Sequence, residues 1–123
     1  MTDAPPVIDT AFLAAAAAAG LEDWGPLAEA AEEDTPMSTR GLTIWSAPDS
    51  SGAEAGIWEC TAGPSYWTQE QTEVVYILSG SLTVTPDGGK PQTFGAGDSA
   101  MFPRGWRGTW DLHETVRKVY AIF

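Results

Sequence analysis

Asparagine is absent from this 123-residue chain, and cysteine and histidine occur once each. Without asparagine the chain has no N-glycosylation acceptor. A single cysteine excludes an intramolecular disulfide framework, and one histidine with one cysteine excludes the usual zinc sites built from these residues. We therefore expect one domain held together by a hydrophobic core, for which a chain of this length is large enough.

Basic residues are also scarce, with six Lys and Arg against 17 Asp and Glu and a formal net charge of −11. Such a surface repels phosphate backbones and anionic lipids, so neither nucleic acid nor a membrane is an expected partner. The apolar run over residues 11–20 is about half as long as a membrane helix requires. Acidic Asp3 and Asp9 precede this run where a secretory leader would carry bases, so we expect a cytoplasmic protein.

The acidic residues are concentrated at the beginning of the chain. Residues 1–36 hold eight acidic side chains and no basic one. Helix start and stop signals predict two short helices here, one near Thr10–Ala19, which ends at Gly20, and one near Pro26–Glu33. We interpret residues 1–36 as a short, acidic, partly helical N-terminal arm and residues 37–123 as a separate β-barrel domain.

From Gly41 onward, short β-branched and aromatic runs alternate with turn residues. This pattern predicts an all-β domain with strands near residues 42–47, 55–61, 73–78, 81–86, 92–94, 100–102, 107–112 and 115–123. The turns between these strands are too short to hold crossover helices, which indicates a sandwich or a barrel. The last strand is apolar on both faces, which favours burial between two subunits.

Two stretches show a more specific pattern, with glycines where tight turns need them. The first includes Gly63 and Glu73-Val-Val-Tyr-Ile-Leu-Ser-Gly80, and the second is Gly97-Asp-Ser-Ala-Met-Phe-Pro103-Arg-Gly105. They resemble the two motifs of the RmlC-like cupin superfamily. With Trp58-Glu-Cys60 and Val116-Arg-Lys118, they look like the small single-domain cupins grouped with ureidoglycine aminohydrolase. The resemblance covers residues 36–123 and implies a jelly-roll barrel that pairs as a homodimer.

The same resemblance implies that most metal-ligand positions of the family are lost. Its three histidine positions fall on Tyr66, Thr68 and Gly108, and only the glutamate position is retained, as Glu73. One carboxylate cannot assemble a transition-metal site. We therefore predict neither a metal nor another cofactor, and the manganese-dependent deamination of ureidoglycine is not implied for this chain.

Strand alternation predicts which side chains face the barrel interior. If Glu73 faces inward, Val75 and Ile77 do so as well, and Gly108, Trp110 and Leu112 share the inner face of another strand. We expect Gly108 to leave room for a ligand. Since Arg117 and Lys118 point to opposite faces, only one of them enters the barrel. The predicted ligand pocket consists of five residues: Tyr66, Thr68, Glu73, Trp110 and Arg117.

Other residues have two interpretations. Trp58, Trp67 and Trp110 form either an aromatic cage for a cationic or planar ligand or ordinary core packing. Glu73 is either a functional group, as a general acid or base or as an anchor for a ligand amine, or a structural carboxylate held by Arg104, Arg107, Arg117 or a tyrosine. We expect Cys60 to be a small core side chain and His113 to face away from the barrel.

Three functions are compatible with these residues. The first is metal-free binding of a small polar metabolite, such as a ureide or an amino acid. The second is a hydrolase or isomerase with Glu73 as its catalytic general acid or base and Tyr66 or Thr68 as a hydrogen-bond donor. The third is a structural or regulatory dimer whose pocket is vestigial.

Overall fold

The computed structural model describes residues 16–123, which form ten strands in two antiparallel sheets. The six-stranded sheet has the order β1-β2-β3-β10-β5-β8, and the four-stranded sheet has the order β4-β9-β6-β7. The predicted all-β architecture is confirmed. The strands are β1 (Glu22–Pro26), β2 (Ser38–Ser46), β3 (Glu54–Cys60), β4 (Gly63–Thr68), β5 (Glu73–Ser79), β6 (Ser81–Pro86), β7 (Gln92–Gly95), β8 (Ser99–Phe102), β9 (Arg107–Leu112) and β10 (Val116–Ile122).

The hydrophobic core lies between the inner faces of the two sheets. Burial alternates along β9, where Gly108, Trp110 and Leu112 are buried and their neighbours are exposed. On β5 the inward side chains are Glu73, Val75 and Ile77, as the alternation predicts. Burial of each large apolar side chain contributes roughly 1.5–3 kcal/mol, so this shared interior holds the two sheets together.

The predicted helix near Pro26–Glu33 is wrong, because this segment is hydrogen-bonded to the edges of both sheets. Strand β1 pairs with β2, and Ala30 then forms an isolated bridge with Ser65 on β4. The backbone N–H of Ala31 donates to Pro64 O at 2.9 Å, and the N–H of Tyr66 donates to Glu29 O at 3.0 Å. Pairing with exposed sheet edges has overridden a weak local preference for helix.

Only the end of the other predicted helix, Thr10–Ala19, lies within the described residues. Ala16–Ala18 form one turn of 3-10 helix. The division of the chain at residue 36 stays a prediction, although residues 22–31 are hydrogen-bonded into the barrel. Among residues 16–123, no helix has the length and apolar composition to cross a membrane. A cytoplasmic location likewise stays a prediction.

Strand β10 lies between β3 and β5, so both of its edges are paired. Its inner face, with Val116, Lys118 and Tyr120, is buried inside the barrel, while the outer face is half-buried. The apolar pattern on its two faces is therefore accounted for by a central position in the sheet. It does not require a subunit interface, and the homodimer stays a prediction.

We expect Gly80→Ala to lower the free energy of unfolding by about 2–4 kcal/mol, because it combines backbone strain with overpacking. Gly80 has φ of 89°, and a Cβ atom there would collide with the Thr115 carbonyl and the Val116 backbone. Gly88→Ala is the matched control, since Gly88 has φ of 70° but faces open space. Urea unfolding of both variants measures the difference, and equal losses would show that the close approach to Thr115 and Val116 is unimportant.

Candidate functional site

An open cavity of about 380 Å³ lies inside the barrel, within the size range of small-molecule sites. Its walls come from β1 and the segment that follows it, from β3, β4, β5 and β10, and from the loop that follows β4. Aromatic and carboxylate side chains predominate in this lining. The principal lining residues are Trp24, Glu29, Glu54, Trp58, Trp67, Thr68, Gln69, Glu70, Glu73, Lys118 and Tyr120.

A buried ion pair forms the floor of this cavity. Lys118 Nζ donates to Glu73 Oε2 at 2.7 Å, and the two residues are only 5% and 7% exposed. In the strand register Lys118 lies opposite Ile77 and Glu73 lies opposite Ile122, so the two long side chains reach towards each other across the inner face. Gln69 Nε2 donates to the other carboxylate oxygen of Glu73 at 3.4 Å.

The Lys118 ammonium also lies over two indole rings. Its Nζ is 4.5 Å from the ring centroid of Trp58 and 4.4 Å from that of Trp110. Trp67 packs against Trp110 with a centroid separation of 4.7 Å. The three indoles therefore pack together in the core, as one of the two interpretations predicts, and the cation that two of them face is the protein's own Lys118.

The outer part of the cavity is acidic and aromatic. Tyr120 Oη donates to Glu54 Oε2 at 2.9 Å, and burial, together with this hydrogen bond, raises the pKa of Tyr120 above its ordinary value. Trp24 of β1 lines the same region, and its ring covers Gly41, where any Cβ atom would collide with it. The N-terminal segment therefore supplies part of the cavity wall, a role that the sequence patterns do not reveal.

The structure separates the five residues of the predicted pocket. Glu73 and Thr68 line the cavity, and Trp110 lies beneath it in contact with Lys118. Tyr66 lies outside the cavity. It is 43% exposed and donates to Asp87 Oδ2 at 2.6 Å, a hydrogen bond that raises the pKa of Tyr66.

The misplacement of Tyr66 has a simple geometric cause. Ser65 is fully buried on β4, and Trp67 lies against Trp110 inside the barrel, so odd-numbered residues of this strand face inward. A shift of one residue exchanges the two faces of a strand. The family's histidine position at Tyr66 therefore does not mark a ligand-facing side chain, whereas the position at Thr68, at the end of β4, lies in the cavity lining.

Arg117 is likewise absent from the cavity, and Lys118 takes the place predicted for it. Arg117 lies on the outer face of β10, where its Nε donates to Glu59 Oε2 at 2.9 Å. Its Nη1 donates to the carbonyl oxygens of Ala16, Ala17 and Ala19 at 3.1–3.2 Å. The alternation of the two side chains is confirmed, but composition alone does not show which of two adjacent cations enters the barrel.

The residues present do not fit the transition metal that many cupins hold. A Cβ atom at Gly108 would collide with the Thr85 carbonyl and Trp106, so no side chain fits there and the room expected at Gly108 does not exist. Glu73, the one retained ligand position, already faces the Lys118 ammonium. Within residues 16–123, no three His, Cys, Asp or Glu side chains come together as a metal site would require.

Two further residues lie where the sequence predicts. Cys60 is fully buried in the core. His113 is exposed and faces away from the cavity, with its ring nitrogens 3.1 Å from Ser81 Oγ and 2.7 Å from Thr83 Oγ1. Neither residue contributes to the cavity lining.

The jelly-roll architecture and this barrel cavity define a cupin. The chain belongs to the EutQ-like cupin domain family, whose model matches residues 48–120. No match was found among curated proteins.

Solved structures are similar to this chain in fold. A protein of unknown function in the DUF861 family, from Pseudomonas syringae, superposes with a TM-score of 0.76 over 87% of this chain, at 19% identity. The chain spans only 46% of the length of that protein. A putative ethanolamine utilization protein Q from Salmonella typhimurium superposes with a TM-score of 0.64, at 24% identity, over 80% of this chain and 76% of its own.

A third solved structure is closer in sequence over a shorter stretch. The DUF861 family protein from Thermotoga maritima is 39% identical and has a TM-score of 0.53. It covers 55% of this chain and 76% of its own. These likenesses support the cupin fold.

We expect Lys118→Met to lower the free energy of unfolding by about 3–5 kcal/mol, because it leaves the Glu73 carboxylate buried without a charged partner. Adding Glu73→Gln in the same chain should restore much of the loss. Arg40→Met is the control, since the Arg40–Glu59 pair is 51% exposed at the arginine side chain and contributes about 0–1 kcal/mol. Chemical unfolding of wild type and the three variants measures the loss and its recovery, and a double variant no more stable than Lys118→Met would contradict this expectation.

Cys60 should be unreactive in the native protein. Burial raises the pKa of its thiol to about 11, although the positive charge of Lys118 acts in the opposite direction. At pH 8 the thiolate that attacks a disulfide reagent is therefore almost unpopulated and inaccessible. Titration with a chromogenic disulfide should show no reaction until urea unfolds the chain, and rapid labelling without denaturant would refute this expectation.

Proposed function

We propose that the chain binds a small polar molecule in the barrel cavity and that Glu73 and Lys118 contact it. The observation that carries this proposal is the buried ion pair at the floor of an open cavity of about 380 Å³. A buried ion pair is a poor source of stability compared with apolar packing, so its presence beside a cavity favours a role in recognition. Thr68, Gln69 and Gln71 supply uncharged polar groups to the lining.

The floor presents donors and an acceptor side by side. An ammonium carries three N–H donors, and only one of those on Lys118 is needed for its 2.7 Å bond to Glu73. From the residues that the structure describes, Glu73 Oε1 accepts one long hydrogen bond, from Gln69 Nε2 at 3.4 Å. This arrangement complements a ligand group that offers a carbonyl oxygen next to an N–H, as amides and ureas do. A ureide or an amino-acid derivative therefore fits the floor of the cavity. The sequence resemblance to ureidoglycine aminohydrolase-like cupins supports the same class of ligand.

The test is a ligand panel of ureides, amino acids and small amides against wild type and two carboxylate variants. Glu73→Gln should weaken any saturable binding at least tenfold, roughly 1.4 kcal/mol, because it replaces the acceptor that faces Lys118. Glu59→Gln is the matched control, since Glu59 also pairs with a cation but lies on the outer face of the sheet. Calorimetry or thermal shift measures affinity. Equal affinity of Glu73→Gln and wild type for every ligand that binds would refute the proposal.

A catalytic function is the second candidate, and the same pair favours it. Glu73 and Lys118 place a proton acceptor and a proton donor 2.7 Å apart at the cavity floor, which suits general acid and base chemistry in a hydrolase or isomerase. Turnover of a bound ligand, lost in Glu73→Gln but retained in Glu59→Gln, would distinguish an enzyme from a binding protein.

We also retain the homodimer as a proposal. The outer face of β5 and β8 carries three exposed apolar side chains, Val74, Tyr76 and Met101, on neighbouring strands. Such a patch is a common feature of subunit interfaces.

The alternative of a structural or regulatory dimer with a vestigial pocket predicts that no ligand binds in a Glu73-dependent manner.

A further inference from the structure

We infer that the ligand is a small amine, bound as a cation in the outer part of the cavity, above the layer occupied by Lys118. This inference rests on the proposed function and narrows its ligand class. It is carried by three features of the same cavity: an ammonium already held there, a second set of aromatic and carboxylate groups further out, and the balance of charge.

The surroundings of Lys118 show that the interior of this cavity stabilises a cation. Its ammonium lies 4.4–4.5 Å from two indole centroids and 2.7 Å from a carboxylate, although the residue is only 5% exposed. Indole faces attract cations through the ring quadrupole, and the attraction increases when water is excluded. The deep part of the cavity is therefore a cation site whose occupant is covalently attached to β10.

The outer layer repeats this combination, and within the described part of the chain no cation other than Lys118 lines the cavity. Trp24 and Tyr120 supply aromatic surface, and Glu54 supplies the carboxylate. The hydrogen bond from Tyr120 uses Oε2 of Glu54, which leaves Oε1 available to accept from a ligand N–H. The ring centroid of Tyr120 is also 6.0 Å from Lys118 Nζ, so the two layers are adjacent.

The charge of the lining sets the sign of the ligand. Among residues 16–123, four glutamates and one lysine line the cavity and give it a formal charge of −3, with Lys118 already paired to Glu73. The whole chain carries −11. Such a field concentrates cations at the cavity and repels carboxylates. An amine with a neutral hydrogen-bonding group therefore fits both layers: the ammonium lies near Glu54, and the neutral group lies near Lys118 and Glu73.

The experiment compares three molecules of nearly equal size and different charge: ethanolamine, ethylene glycol and glycolate. Each is titrated into the wild-type protein at pH 7 with sodium chloride at equal ionic strength as the reference. We expect a saturable rise in melting temperature with ethanolamine and none with the other two. Glu54→Gln should weaken ethanolamine binding at least tenfold, whereas Glu59→Gln on the outer face should bind it as wild type does.

Trp24→Leu provides a second variant that removes aromatic surface without changing charge. It should also weaken ethanolamine binding, and circular dichroism checks that each variant is folded. An ethanolamine effect no larger than that of sodium chloride overturns the inference, and so does tighter binding of glycolate or ethylene glycol. If either of these results is accompanied by Glu73-dependent binding of a neutral ureide, the proposed function stands and only the inference that the ligand is an amine is rejected.

Discussion

The ion pair between Glu73 and Lys118 is the interaction on which the candidate site depends. Removing two charges from water is costly, so each must find its partner inside the barrel. The pair achieves this at 2.7 Å, with two indole rings facing the ammonium. Because the two residues lie on the neighbouring strands β5 and β10, the central part of the six-stranded sheet determines the position of the cavity floor.

The rest of the cavity is arranged around this pair. The packed indoles of Trp58, Trp67 and Trp110 form the deep aromatic layer, and Lys118 provides the positive charge beside the one ligand position that the family motif retains. Further out, Trp24 and Glu29 come from the N-terminal segment, which is hydrogen-bonded to β2 and β4. The segment that the sequence predicts to be an acidic N-terminal arm therefore forms part of the cavity wall.

Local patterns were sufficient for most of the fold. The eight strands predicted from β-branched runs and turn glycines all exist, and alternation placed Glu73, Val75, Ile77 and Trp110 on the inner faces. The two missed strands, β1 and β4, lie at the edges of their sheets and contain Gly, Pro or Ser, which propensity reads as turn. Their pairing comes from distant strands, which local propensity does not include.

The sequence by itself determined the all-β class, the cupin resemblance, the inward position of Glu73 and the excess of negative charge. These follow from periodicity, turn residues and composition, which are properties of neighbouring residues. Only the tertiary structure decided that Lys118 and not Arg117 faces Glu73, that Tyr66 faces outward, and that Gly108 leaves no space. Each of these depends on the phase of a strand or on contacts between segments distant in sequence, and a shift of one residue reverses the outcome.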